Sequence, residues 1–148
     1  EQLPYLKPDL VIISLGTNEV YRAGFNPVEF HKQIDTLITN IKKNNPSANI
    51  LVSTPPDSYR RSRRGFMKNQ DVKKARTVIV NYCISNNLAY WDLYEIMGGY
   101  GSMGKWYAAR LAAKDRVHFS PKGYLIQGDL LYKALMKGYT NYLVEQNK

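Results

Sequence analysis

The stretch that decides the fold is Asp9-Leu-Val-Ile-Ile-Ser-Leu-Gly-Thr-Asn-Glu, residues 9–19. Its first part is a short, continuous apolar run that ends at Gly16, which is typical of a strand buried on both faces, as in a parallel sheet. Two later segments have the same character, Asn49-Ile-Leu-Val-Ser-Thr-Pro and Leu88-Ala-Tyr-Trp-Asp-Leu-Tyr. The sequence therefore predicts three strands.

Helical patterns separate these strands and follow the last one. Asn26-Pro27, a cap followed by proline, opens a helix that ends near Pro46, and a second helix covers Asp71 to Asn86. A short helix is expected from Trp106 to Ala112, and the last helix begins at Ser120-Pro121. This alternation predicts one α/β domain over residues 1–148, with helices on both faces of a parallel sheet. The last helix is expected to bury Ile126, Leu130, Leu131, Ala134, Leu135 and Tyr142.

In such a sheet a ligand site lies beyond the carboxyl ends of the strands. Gly16-Thr-Asn-Glu follows the first strand, and a glycine-rich passage leads from the third strand to Lys114-Asp-Arg-Val-His-Phe-Ser. His118 can accept and return a proton near neutral pH, Asp115 can orient its ring, and the Asn18 amide can donate to an oxyanion. Two structural alternatives stay open, a capped turn before a helix for the Asp-His pair and a simple turn around Asn18.

The runs 9–19 and 114–124 together resemble the third and fifth sequence blocks of the SGNH, or GDSL-type, hydrolases. The resemblance implies a flavodoxin-like α/β/α sandwich and a Ser-His-Asp esterase that needs no cofactor. It implies His118 as general base, Asp115 as its orienter and Asn18 as an oxyanion donor.

The same resemblance implies further substrate-loop residues at Gly16, Thr17 and Glu19. Glu19 departs from the family's usual Gly-x-Asn-Asp by one methylene, which affects loop packing more than chemistry. The passage Met97-Gly-Gly-Tyr-Gly-Ser-Met-Gly-Lys-Trp is similar to a subgroup that removes O-acetyl groups from peptidoglycan or other polysaccharides. This implies an acylated carbohydrate or cell-wall glycan as substrate and an extracytoplasmic location, periplasmic or secreted.

The nucleophile of that family is absent from the sequence. Its Gly-Asp-Ser block, and the block whose glycine supplies another oxyanion donor, do not occur here. We therefore expect the chain to be the C-terminal part of the full domain, with the serine upstream of Glu1, and to be inactive alone. The serines present have other expected places: Ser14 and Ser53 in buried strands, Ser120 at a helix cap, Ser58 and Ser62 in a basic loop, and Ser102, the least implausible substitute, in the glycine-rich passage.

A sheet of three strands also leaves its apolar first strand at an edge, where unpaired backbone groups invite another strand. This is a second reason to expect upstream strands, and it predicts that a partner copy covers the edge when the chain is alone, giving a homodimer.

The charge of the chain is strongly positive, with 21 Lys and Arg against 12 Asp and Glu, a formal net charge of +9. Its densest part, Tyr59-Arg-Arg-Ser-Arg-Arg-Gly-Phe-Met-Lys, is expected to be a solvated loop, although such a run attracts nucleic acid, anionic glycan or acidic lipid. Two alternative functions stay open, a non-catalytic module on the same fold and a nucleic-acid-binding domain. The second would centre on Arg60, Arg61, Arg63 and Arg64, but no base-stacking motif is interleaved with them, and we expect no nucleic-acid partner.

Other residues narrow the function classes. No apolar run approaches the ~18 residues that a membrane span requires. The single cysteine, Cys83, excludes an internal disulfide and is expected to be a small buried hydrophobe. His31 is expected at the surface or boundary of the first long helix, and no cluster of residues has metal-ligand spacing.

Overall fold

The structure of the chain, a computed structural model, describes residues 2–63 and 65–147. The predicted helix starts at Pro27 and Pro121 and the three predicted strands are all present. In chain order the elements are α1 (Leu3–Leu6), β1 (Leu10–Ser14), α2 (Thr17–Tyr21), α3 (Pro27–Asn44), β2 (Asn49–Ser53), β3 (Tyr59–Ser62), β4 (Gly65–Lys68), α4 (Asp71–Ser85), β5 (Ala89–Trp91), α5 (Leu93–Ile96), α6 (Ser102–Ala108) and α7 (Pro121–Gln146).

The main sheet has the order β1-β2-β5, and both of its strand pairs are parallel. Ser14 of β1 is in register with Ser53 of β2, which is in register with Trp91 of β5. The three strands therefore end at one level, and the loops that follow them leave from the same edge. The prediction of a parallel sheet is confirmed.

Alternate residues of the strands serve two separate core clusters. Ile50 and Val52 point to one face, where they pack with the apolar sides of α3 and α4. Leu51 points to the other face and packs with Trp91 and with residues of α6 and α7. Because a strand presents successive side chains to opposite faces, this alternation sets the three layers of the fold. The predicted α/β/α arrangement is confirmed.

The cap at Asn26 explains why α3 begins where it does. Its Oδ1 accepts hydrogen bonds from the backbone N–H groups of Val28 (3.0 Å) and Glu29 (3.2 Å), which have no partner inside the helix. Pro27 occupies the first helical position, where a missing N–H costs nothing. The expectation drawn from Asn26-Pro27 is confirmed.

The expected core face of α7 is only partly correct. Ile126, Leu130 and Leu131 are half-buried, and the last two pack against the second core cluster, whereas Ala134, Leu135 and Tyr142 are exposed. The apolar residues of this helix extend around much of its circumference, so helical spacing alone did not identify the covered side. From Tyr132 to Gln146 every residue of α7 is exposed.

Three further expectations about local structure are wrong. The basic segment is not a loop: β3 and β4 form an antiparallel hairpin, in which Arg64 lies outside the described residues. The third strand ends at Trp91 because Asp92 caps α5, and α6 starts at Ser102 rather than Trp106.

The edge strand β1 has one covered and one open face. Ile13 is buried against α3 and α4, but Leu10 and Ile12 on the opposite face are 43% and 48% exposed, and Ser14 is exposed rather than buried as expected. Among the described strands only β2 pairs with β1. Pairing of β1 with a second copy of the chain stays a prediction.

The remaining expectations concern single residues. Cys83 is fully buried, as predicted, and burial raises the pKa of its thiol to about 11. His31 is exposed on α3, also as predicted. Among residues 2–63 and 65–147 no helix is both long and apolar enough to span a bilayer, and no group of side chains suited to a metal ion occurs.

Candidate active site

A closed turn carries Asp115 and His118. Ala112 and Phe119 form an antiparallel bridge, and inside it the Ala113 N–H donates to the His118 carbonyl at 2.8 Å. The backbone therefore returns on itself within a few residues. The two side chains are held on a short, hydrogen-bonded loop between α6 and α7.

The Asp115 carboxylate contacts the His118 imidazole directly. Its Oδ2 lies 2.8 Å from His118 Nδ1, and its Oδ1 accepts from the backbone N–H groups of Val117 (2.9 Å) and His118 (3.1 Å). Burial alone raises the pKa of Asp115, but these hydrogen bonds outweigh it and hold the pKa below its ordinary value. An ionised carboxylate only accepts, so it favours the tautomer of a neutral imidazole in which Nδ1 carries the proton and Nε2 has the free lone pair. The His118 side chain is 66% exposed, and a reacting group can reach it.

Helix α7 is fixed to this turn at its first residues. The Ser120 hydroxyl donates to the Arg110 carbonyl at 2.9 Å and accepts from the Gly123 N–H at 3.2 Å, so the expected cap is confirmed. Gly123 lies against the loop so closely that a Cβ there would overlap the Leu111 carbonyl oxygen. Leu111 is at the start of the segment that leads to Asp115, so this contact holds α7 against that segment.

Gly123→Ala is expected to lower the free energy of unfolding by about 1–3 kcal/mol, because α7 must move away from the Leu111 carbonyl to make room for the methyl group. Urea unfolding followed by circular dichroism measures this change. Gly138→Ala in the same helix is the matched control, since a Cβ there meets nothing within 4 Å. It should gain up to about 1 kcal/mol from helix propensity. Equal stability of the two variants would contradict the close contact.

Asn18 lies in the first turn of α2, directly after β1. Gly16 has a φ of +105°, which turns the chain sharply out of the strand, and its N–H donates to Glu19 Oε2 at 2.9 Å. Glu19 thus stabilises the turn after β1 through this hydrogen bond. Thr17 begins the helix and is half-buried. The Asn18 side chain is exposed and makes no hydrogen bond with any described residue, so its amide is available as a donor.

Contacts between loops place these residues at the same edge of the sheet. A Cβ on Gly16 would lie 3.0 Å from Pro55 Cγ, so the turn after β1 touches the loop after β2. That second loop continues to Tyr59, whose N–H donates to the Arg116 carbonyl at 2.9 Å. The segments that carry Asn18 and His118 are therefore both joined to the segment 55–59.

In the part of the chain that the structure describes, no serine hydroxyl bonds to the His118 ring. Within the described part of the chain, Asp115 is the one residue whose side chain bonds to the imidazole. Ser53 and Ser58 are buried, Ser120 is committed to its cap, and Ser102 is 2% exposed with a buried hydroxyl. Ser58 was expected in a solvated loop, and this expectation is wrong.

Two functional candidates were missed in the sequence, Asp57 and Arg116. Asp57 is fully buried after β2, and its Oδ2 accepts from the Met103 N–H at 3.0 Å, which fixes the glycine-rich segment. Burial raises the pKa of Asp57, although backbone hydrogen bonds oppose this. Arg116, between the two site residues, lies over three aromatic rings. The position of Asp57 in Thr54-Pro-Pro-Asp, directly after a predicted strand, could have indicated its place at this edge of the sheet. No feature of the neighbouring sequence indicated the contacts of Arg116.

Solved structures share this fold. A peptidoglycan O-acetylesterase is 27% identical, with a TM-score of 0.82, and the match covers 91% of this chain and 39% of that chain. A lipase/acylhydrolase from Enterococcus faecalis is 23% identical (TM-score 0.67; 90% and 66% covered). An acetyl xylan esterase, AlAXEase, is 20% identical (TM-score 0.67; 88% and 68% covered). The chain thus spans about two fifths of the first structure and about two thirds of the other two.

The comparison of sequences gives the family. Among the curated proteins there was no match. The sequence profile of the GDSL-like lipase/acylhydrolase family, in contrast, matches residues 1–126, and the chain belongs to this family.

Proposed function

We propose that this chain carries the base, its orienting carboxylate and an oxyanion donor of a serine esterase that removes O-acetyl groups from a cell-wall glycan. The observation that carries the proposal is the exposed Asp115–His118 pair, 2.8 Å apart, on the sheet edge that also holds the unbound Asn18 amide. Family membership favours hydrolysis of an ester over the alternative of a non-catalytic module.

The proposed chemistry uses each of these groups once per acyl transfer. A serine hydroxyl attacks the acetyl carbonyl while His118 Nε2 takes the hydroxyl proton, and Asp115 stabilises the imidazolium that forms. The negative oxygen of the tetrahedral intermediate accepts a hydrogen bond from the Asn18 amide. His118 returns the proton to the departing sugar oxygen. Water, deprotonated in turn by His118, then attacks the acyl-serine, and His118 gives that proton to the departing serine oxygen as acetate is released. No step requires a cofactor.

We further propose that the serine belongs to polypeptide outside these 148 residues. Support comes from β1, whose outer edge pairs with no described strand and whose Leu10 and Ile12 are about half exposed. A strand added at that edge would end at the same level as β1, beside Asn18. The turn after β1 touches the loop after β2, which in turn bonds to the turn that holds His118, so we propose that a loop after the added strand presents its hydroxyl on this same edge.

Peptidoglycan is the proposed substrate polymer, with an extracytoplasmic location for the protein. The similarity to a peptidoglycan O-acetylesterase supports this choice, and it is stronger in identity and in TM-score than the similarity to the acetyl xylan esterase. The net charge of +9 suits an anionic wall polymer better than a neutral one.

Acetate release from O-acetylated peptidoglycan and from acetylated xylan tests the proposal. We expect the full-length product of the gene that encodes this chain to release acetate from the first polymer, with lower kcat/KM on the second. Residues 1–148 alone should release none. Turnover by residues 1–148 alone would overturn the external serine, and release from neither polymer by the full-length product would favour the non-catalytic module.

A further inference from the structure

The hairpin β3–β4 has two chemically different faces. Directly opposed residues of antiparallel strands share a face, and the pairs Tyr59–Lys68 and Arg61–Phe66 alternate with Arg60–Met67. Tyr59, Arg61, Phe66 and Lys68 therefore lie on one side. Arg60 lies on the other side, where its guanidinium bonds to Asp71 Oδ2 at 3.1 Å.

The first face of the hairpin is fastened to the turn that carries Asp115 and His118. The guanidinium of Arg116 lies 5.2 Å from the centre of the Tyr59 ring, 5.5 Å from that of Phe66 and 4.8 Å from that of Tyr107. Such contacts attract a cation to the ring faces, and they are stronger where water is partly excluded. The Tyr59 N–H also donates to the Arg116 carbonyl. The hairpin is therefore attached to the turn at Arg116, two positions before His118.

Among the described residues no carboxylate forms an ion pair with Arg61 or Lys68 on this face. Arg61 is exposed and forms no ion pair with a described residue, and Lys68 lies over the Tyr100 ring at 5.3 Å. The Lys68 charge acts on the Asp57 carboxylate, but Asp57 is buried and forms no ion pair with it. The Asp115 oxygens already accept three hydrogen bonds. Arg60, by contrast, is neutralised on the opposite face. An anion bound at this face of the hairpin would be attracted by both Arg61 and Lys68.

We propose that the β3–β4 hairpin is a substrate-recognising arm, in which Arg61 and Lys68 bind a negatively charged group of the glycan next to the ester. The inference rests on the proposed function, because it assigns the arm to the same substrate. Arg116 is a positioning residue, because it holds the arm against the turn that carries Asp115 and His118. Phe66 and Tyr100 are exposed, and the ring faces that Arg116 and Lys68 leave uncovered are available for a sugar ring to stack on.

Binding measurements separate this inference from the esterase proposal. Calorimetry of the full-length protein with polygalacturonate, which supplies carboxylates, with teichoic acid, which supplies phosphates, and with neutral dextran needs no turnover. We expect binding to at least one anionic polymer, weakened about tenfold in the double variant R61Q/K68Q. The polymer that binds identifies the charged group. Equal affinity of wild type and R61Q/K68Q for both anionic polymers would overturn the inference, as would equal binding of dextran.

Two matched variants exclude a general charge effect. K32Q/K43Q removes the same two charges from exposed positions on α3, and it should bind like the wild type. R61K/K68R keeps both charges and should recover most of the affinity. On O-acetylated peptidoglycan R61Q/K68Q should raise KM about tenfold with a much smaller change in kcat, whereas K32Q/K43Q should leave both constants unchanged. Failure of the wild type itself to hydrolyse p-nitrophenyl acetate would count against the esterase proposal and leave the binding result to decide on the arm.

Discussion

Replacing His118 by alanine is expected to reduce kcat of the full-length protein about 10⁴-fold on O-acetylated peptidoglycan. The imidazole is the acceptor of the serine proton in the proposed mechanism, and Asp115 leaves its Nε2 free for that purpose. Without it the hydroxyl must attack in its neutral form. Acetate release under saturating substrate measures the loss, and unfolding by urea should be little changed because the side chain is 66% exposed.

His31→Ala is the natural control for this variant, since His31 is the other histidine of the chain and is also exposed, on α3. It should keep wild-type kcat. If His118→Ala retained more than about a tenth of the activity, His118 would not be the general base. The Asp115–His118 contact would then be a capped turn, the structural alternative that the sequence left open.

Replacing Asn18 by alanine is expected to reduce kcat about 10²–10³-fold with a much smaller change in KM. The amide meets no described partner in the free chain, and a donor that bonds only to the developing oxyanion acts on the transition state rather than on the bound substrate. Steady-state kinetics with p-nitrophenyl acetate separate the two constants.

Two further variants sharpen this test. Asn18→Asp keeps the size of the side chain but has no N–H to donate, so it should be at least as impaired as alanine. Asn40→Ala removes an exposed amide from α3, far along the chain from the site, and should have wild-type kinetics. A proportionate rise in KM with unchanged kcat for Asn18→Ala would assign Asn18 to ground-state binding instead.

Local signals in the sequence were enough for the layered architecture and for several helix starts. Asn26 and Ser120, each followed by proline, form the expected caps, and the apolar runs at β1, β2 and β5 form the expected sheet. These features depend on neighbours within one turn or on burial on both faces of a strand. The family could be inferred in the same way, because the two segments that resemble the GDSL-type blocks are each short and continuous in the chain.

The failures have a different physical origin, because they depend on contacts between distant segments. Arg60 and Arg61 look like consecutive solvated charges, yet they point to opposite faces of a strand, one toward Asp71 and the other beside Phe66. The role of Arg116 could not be predicted, because it depends on the contact between the hairpin and the turn 113–118 in the folded chain. In α7 apolar residues lie on several sides of the helix, so the sequence did not show which side packs against the sheet.

The two separate core clusters also decide what a spectroscopist will see. Both tryptophans of the chain, Trp91 and Trp106, belong to the cluster on the α6–α7 side, and Trp106 donates its indole N–H to the Met97 carbonyl. The cluster formed with α3 and α4 has no tryptophan. Tryptophan fluorescence therefore reports on the half of the molecule that supports Asp115 and His118. Loosening of α3 against α4 does not change that fluorescence, and its detection needs the tyrosine band or backbone dichroism.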